Sequence, residues 1–218
     1  MRRFMTPYLA TPLLIALFLT TALTLGACER SGGQPGAGDP PDESVTRGAW
    51  TPVEFDQLDT KQQAQLHKAI EARDALATTL KGELMRAIQS QGPVHAVEVC
   101  HTRAPQIAQE IGERFDVQIG RTALKLRNPS NTGPDWARFI EDSKVSEPLA
   151  LSTGTGGELG VAYPILLENA CIVCHGTDEQ VAPAVRRAIA ERYPDDRATG
   201  FAPGDHRGWF WVQVPAID

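Results

Sequence analysis

The chain is 218 residues long, with 21 lysines and arginines against 27 aspartates and glutamates, so its net charge is −6. That acidic balance argues against nucleic acid as a partner and against electrostatic docking on anionic lipid. The length suffices for one domain with a single core once an N-terminal leader is set aside.

The leader begins at Arg2 and Arg3, a basic start ahead of an uncharged apolar run from Tyr8 to Ala27. Such a run is nearly long enough to cross a bilayer, so an uncleaved anchor competes with a cleaved signal peptide. The run closes on Leu25-Gly26-Ala27-Cys28. This resembles the lipobox of bacterial lipoproteins, where cleavage precedes the cysteine and the cysteine takes the lipid. Small residues directly before a lone cysteine favour residues 1–27 as signal peptide, Cys28 as the lipidated residue and a membrane partner reached through that lipid. Either way the chain leaves the cytoplasm. Glu29 is not the aspartate that retains enteric lipoproteins at the inner membrane, so a periplasm-facing lipoprotein of the outer membrane is favoured over one of the inner. Loss of Arg2 and Arg3 would take the net charge from −6 to −8. Residues 28–48 hold Gly, Pro, Ser and Asp with almost nothing to bury. They are expected to be a disordered tether of about 25 Å root-mean-square reach, leaving residues 49–218 as the folded domain.

Folding is predicted to start near Trp50. Thr51-Pro52-Val53-Glu54 has the form of a helix start, with Thr51 as N-cap, Pro52 in first position and Glu54 closing a capping box. Helix-forming residues run from Val53 to about Gln91, with Leu66, Ile70, Ala77, Leu80, Leu84 and Ile88 at helical spacing. Gly82 costs only about 1 kcal/mol there, so one long helix and two shorter ones are both open. Gly92-Pro93 resets the chain. Val94 to Phe115 reads as a second helix, with Val97, Cys100, Ala104, Ile107, Ala108 and Ile111 on one face. Pro105 lacks the N–H that would bond back to His101, which predicts a kink or restart near Thr102. Asp116 to Thr122 alternates as a strand, and Arg127 to Asn131 is a turn cluster. Pro134 opens a short helix to about Asp142 that would bury Trp136, Phe139 and Ile140. Leu151 to Gly160 reads as a hairpin loop and Val161 to Leu167 as a strand weakened by Pro164. Glu179 to Arg192 is the last predicted helix, patterned by Val181, Val185, Ile189 and Ala190, with Pro183 in its first turn. Gly208 to Val214 closes the chain as an aromatic strand. Helices followed by interleaved strands and helices, without a βαβ repeat, indicate an α+β fold with a small, mostly antiparallel sheet.

Cys171-Ile172-Val173-Cys174-His175 carries the chemistry. Two cysteines three apart add across the vinyl groups of a haem and the adjacent histidine falls on its iron, so the pattern reads as covalent attachment of one haem c. A structural zinc site would need a second cluster of ligands, and the sequence offers none. A thioredoxin-like redox pair would need a βαβ setting and has no use for the histidine. Export supports the haem reading, because bacteria make these thioethers outside the cytoplasm. With Cys28 assigned to lipid and Cys171 and Cys174 to haem, Cys100 is left without a partner where disulfides are the default.

His175 fills one axial position, and the group in the other decides the class of haem protein. Electron-transfer cytochromes usually place a methionine C-terminal to the motif, but Met85 is the only methionine after the leader. A cytochrome c′ bundle also carries its motif late, yet the aromatic strand behind the motif fits it poorly. His67, His95, His101, His206, Cys100 or an open site remain. His67 and His206 read as surface residues, and His101 points about 100° round the helix from Cys100. Cys100 faces apolar neighbours and is soft enough to bind iron as thiolate, whereas burial alone would leave it an inert core thiol. On the residues alone these two readings of Cys100 stay level.

Four stretches between Val99 and Pro215, namely VCHTRAPQIAQEI, IGRTALKLRNPSN, AYPILLENACIVCHG and YPDDRATGFAPGDHRGWFWVQVP, resemble a family of exported bacterial and cyanobacterial c-type haem domains of unknown function. The domain also occurs there as the sensory part of histidine kinases. The resemblance implies a PAS-like fold with one covalent haem and Cys100 as the thiolate opposite His175. It further implies that Arg121, Arg127 and Asn128 lie near the haem as propionate or haem-edge contacts, with Lys125 in the same stretch; ordinary surface charge is the competing reading. The function expected is a redox or small-ligand sensor. A His/Cys-ligated iron blocks catalysis on bound oxygen, and its thiolate favours the ferric form. Reduction, or a gas such as CO or NO, would displace Cys100 and shift its helix. A periplasmic electron carrier without sensing output is the alternative, and a peroxidase with an open iron is third. No catalytic residue is assigned, and a separate redox or signalling protein is the expected partner.

Overall fold

The structure is a computed structural model describing residues 50–141 and 147–218; the leader, Cys28 and the tether lie outside the described residues. The chain enters through β1 (Thr51–Val53) and a 3-10 turn at Phe55–Gln57. The helix foreseen at Thr51 starts at Thr60 instead. Asp59 supplies the cap, its carboxylate accepting from Gln62 N at 2.8 Å while Asp59 N donates to Gln62 Oε1 at 3.0 Å. Thr51 donates its hydroxyl to Ser152 O, and its segment pairs antiparallel with residues 150–152. Strand pairing therefore outcompetes the local capping signature, and Pro52 is tolerated because β1 is an edge strand.

Helix α1 (Thr60–Gln91) is continuous through Gly82, so the first helix is one and not two. Its buried line is Gln62, Gln65, Ala69, Ala72, Leu76, Leu80 and Ala87. Of the predicted stripe only Leu80 lies on that line; Leu66 and Ile70 flank it, half-buried. Alanines at the contact line let the helix approach the sheet closely, and the larger aliphatic chains fill the sides. Gly92, at φ 85°, ends α1 and donates its N–H to Ile88 O. Helix α2 (Pro93–Phe115) follows at once and runs uninterrupted through Pro105, without the predicted restart. Val97, Ala104, Ile107 and Ile111 are buried as foreseen.

β2 (Gln118–Thr122), α3 (Asp135–Glu141), β3 (Leu149–Ser152) and β4 (Leu159–Leu166) come next. Trp136 and Ile140 are buried on α3; the side chain of Phe139 lies outside the described ones. β3 and β4 form a hairpin whose loop is shorter than the predicted Leu151 to Gly160. Leu151 and Ser152 pair with Gly160 and Leu159 in β3, a strand not expected from the sequence. Pro164 falls beyond Ala162, where β3 has already ended and β4 pairs with β5 alone. After β4 come a 3-10 turn (Asn169–Cys171), the single-turn helix α4 (Ile172–His175), α5 (Pro183–Arg192) and β5 (His206–Val214). α5 begins four residues later than predicted, with Pro183 in its first turn, and Ala190 is exposed.

The strands form one antiparallel sheet in the order β1-β3-β4-β5-β2, which bears out the α+β expectation. One face, with Leu159, Val161, Tyr163, Val212, Val214 and Ile119, packs against α1 and α2. The other collects Trp50, Trp136, Trp209 and Trp211, all four tryptophans of the chain, with α3. No helix among the described residues is long and apolar enough to cross a membrane.

Candidate functional site

Cys171 ends the 3-10 turn and Cys174 lies in α4, so the two thiols are one helical turn apart; both are free. Cys171 packs with Leu167, Ala198 and Phe201, while Cys174 packs with Val97 of α2 and Val181, Val185 and Ile189 around α5. Burial pushes the Cys174 thiol up to about 11. His175 Nδ1 lies 2.7 Å from Ala198 O. A carbonyl can only accept, so Nδ1 carries the proton and the Nε2 lone pair is left for another partner. Burial, then the positive charges of Arg127 and Arg207, push the imidazole down to about 3, so it is neutral at pH 7.

Cys100 is half-buried on α2, one turn from Val97. Burial raises its pKa, and Arg121 and Arg127 oppose that rise. Cys100 adds to the upward pKa shifts of both Cys174 and Tyr193, so the helix cysteine and the motif share one neighbourhood. Tyr193 closes α5, its N–H donating to Ile189 O at 2.7 Å. Its ring packs with Val97 and meets His101 edge-on at 5.2 Å. Residues 97, 100 and 101 share a helix face, so Tyr193 covers the patch of α2 that carries Cys100.

The predicted basic residues divide. Arg121 sits on β2 opposite Phe210, on the same strand face as Ile119 and hence toward α2. Among the described residues its guanidinium has neither a salt bridge nor a hydrogen bond; burial pushes its pKa down, and the ionisable Cys100 and Tyr193 nearby oppose that fall. Arg127 is the opposite case: it pairs with Asp196 at 3.2 Å and donates to Cys174 O and Ala198 O at 2.7 and 3.1 Å. Asn128 is used locally, its Oδ1 accepting from Ser130 N in an Asx turn. Lys125 lies 4.9 Å over the Phe201 ring.

Sequence reasoning missed four members of the cluster: Tyr193, Asp196, the Ala198 carbonyl and Arg207. Arg207 donates to Lys125 O, and burial, then Arg127 and Arg121, push it down to about 10. The tail YPDDRATGFAPGDHRGWFWVQVP contains all four, so membership of that stretch was the available signal. Gly208 allows the approach: a Cβ there would collide with Thr122 O and meet Ala123 Cβ at 2.7 Å. His67 is exposed as expected. His206 is half-buried rather than on the surface, its ring 4.0 Å from Trp209 with Nε2 unpartnered. No group of three or more His, Cys, Asp or Glu among the described residues is arranged to hold a metal ion. Two open recesses, of about 460 and 390 Å³, are lined by neither a cysteine nor His175.

Fold and site together define an α+β domain built round a Cys-x-x-Cys-His turn facing a cysteine-bearing helix. A family model described as Tll0287-like matches residues 54–215, and the chain belongs to that family. The resemblance read from the motifs is thereby borne out. Among solved structures the chain is similar to the crystal structure of the cyanobacterial haem protein Tll0287, at 22% identity and a TM-score of 0.52 over 74% of this chain and 99% of that one. At that identity the likeness establishes the fold. No curated protein matches.

Proposed function

We propose that this chain is a haem c protein with a PAS-like fold in which His175 and Cys100 are the axial ligands. It acts as a redox or small-ligand sensor, anchored through a lipid on Cys28 and facing the periplasm. The observation that carries the reading is the neutral imidazole of His175, oriented by Ala198 O with Nε2 free, in one neighbourhood with the unpaired Cys100 and Arg121. The donor set fits a haem: two thiols one turn apart for the vinyl groups, an imidazole and a soft thiol for the iron, and an unpaired arginine for a propionate or the thiolate. Bound there, the haem supplies one-electron chemistry and a site for diatomic ligands. Cys100 would tie α2 to such a haem, and that helix is the element whose position the haem's redox or ligand state would bias. A partner protein reading α2 completes the sensor.

The test is absorption and electron paramagnetic resonance of ferric and ferrous protein, with and without CO. Wild type is expected to give a low-spin thiolate signature that Cys100→Ala abolishes. Spectra unaffected by that substitution, or a high-spin ferric wild type, would sink the ligand set. Reversible reduction with no change of axial ligands would favour the electron carrier.

A further inference from the structure

Arg127 does not stand open to a ligand: its Nε and Nη2 are committed to the protein. Nε and Nη2 both bind Asp196, at 3.2 Å each, in a pair whose side chains are 12 and 8% exposed. Nη2 also reaches Cys174 O, directly before His175, and Ala198 O, the carbonyl that accepts the proton-bearing Nδ1 of that histidine. Asp196 closes the loop by accepting from Ala198 N at 2.8 Å. The same turn is fixed at both ends: Asp196 N donates to Tyr193 O, and Arg197 N donates to Leu126 O beside Arg127. One buried ion pair thus grips the carbonyl before His175 and the carbonyl that orients it.

We propose that Arg127 and Asp196 are a positioning pair for His175, setting the plane and basicity of its imidazole through Ala198 O rather than touching the haem. A carbonyl that already receives a cationic donor is a poorer acceptor for the Nδ1 proton, so the imidazole is held less anionic. Arg121, without a partner of its own, is the cation left for the haem. This inference rests on the reading of His175 as an iron ligand.

The variant is Arg127→Gln with Asp196→Asn, which removes both charges together and leaves neither partner of the pair as a lone buried ion. Expected are covalent haem content equal to wild type, altered ferric g-values and a midpoint potential shifted downward. Potential and g-values identical to wild type overturn the positioning role. Arg127→Lys, which keeps the charge but not the forked geometry, carries the same test should the double variant fail to mature. A pyridine haemochrome spectrum of wild type separates the two levels: absence of thioether-linked haem overturns the ligand reading and this inference with it, whereas its presence beside an unchanged variant overturns the inference alone.

Discussion

Tyr163 and Arg121 lie on one cross-strand row of the sheet, each the register partner of Phe210, yet burial treats them differently. Arg121 is charged and half-buried, and without a partner among the described residues its desolvation is not repaid by a protein anion. Tyr163 is neutral and 7% exposed, its hydroxyl unpartnered under the Arg73 guanidinium, which lies 4.4 Å from the ring centroid. Burial pushes its phenol up from 10.0 to about 12, with Arg73 opposing. The folded protein therefore holds this proton more tightly than the unfolded chain, and stability present below pH 10 is lost as pH rises towards 12. Tyr163→Phe is predicted to leave stability at pH 7 unchanged or raise it by about 1 kcal/mol, and to flatten the alkaline loss. Urea titrations at pH 7 and pH 11 check both; a clear loss at pH 7 would mean that the hydroxyl does find a partner.

At the scale of elements, α1 does two jobs that hydropathy could not reveal. Gln65, fully buried, donates its amide to Gly157 O at 2.9 Å and to Pro215 O at 2.8 Å, so the helix holds the β3–β4 hairpin and the end of the chain at once. Gln62 reaches the Ser152 hydroxyl at 3.0 Å. A periodicity search ranks Leu and Ile above Gln and Ala and so rotates the stripe. The real contact line is set by how closely the sheet approaches and by which carbonyls need donors. Gln65→Leu, of similar volume, leaves both carbonyls without that donor and is expected to cost roughly 2–4 kcal/mol in chemical denaturation, with faster amide exchange in β3 and β4. A loss under about 1 kcal/mol would show that water replaces the amide. The helix foreseen at Thr51 failed for a related reason: the capping signature is local, while the strand partner that displaced it is about a hundred residues away, at Ser152.

For the whole molecule, the sheet order places the last strand between β4 and β2, and this brings the site together. β4 delivers the Cys-x-x-Cys-His turn, β2 delivers Arg121, the segment before β5 delivers Asp196 and Ala198, and the start of β5 delivers Arg207. On the proposed reading the thioethers add permanence to a site that His175, Cys100 and Arg121 already form. Cys171→Ser with Cys174→Ser is therefore expected to give a folded protein that takes up added haem reversibly, with a Tm that climbs as free haem increases. A Tm independent of added haem would show that the non-covalent contacts alone do not hold it.

The sequence by itself determined the attachment motif that the proposed reading rests on, because Cys171, Cys174 and His175 lie within a turn and a half of chain and their spacing is a local property. It also determined the α+β class through its periodicities, and the matching stretches determined the family. Only the tertiary structure decided what each polar group is for. The partners of His175 and Arg127 lie 23, 47, 69 and 71 residues away, beyond the reach of any local pattern. Arg121 and Arg127 look alike in the sequence, six positions apart. Folding gives one of them Asp196 and leaves the other unpaired, because a buried guanidinium takes its role from the nearest anion, and only the packed chain says where that anion is.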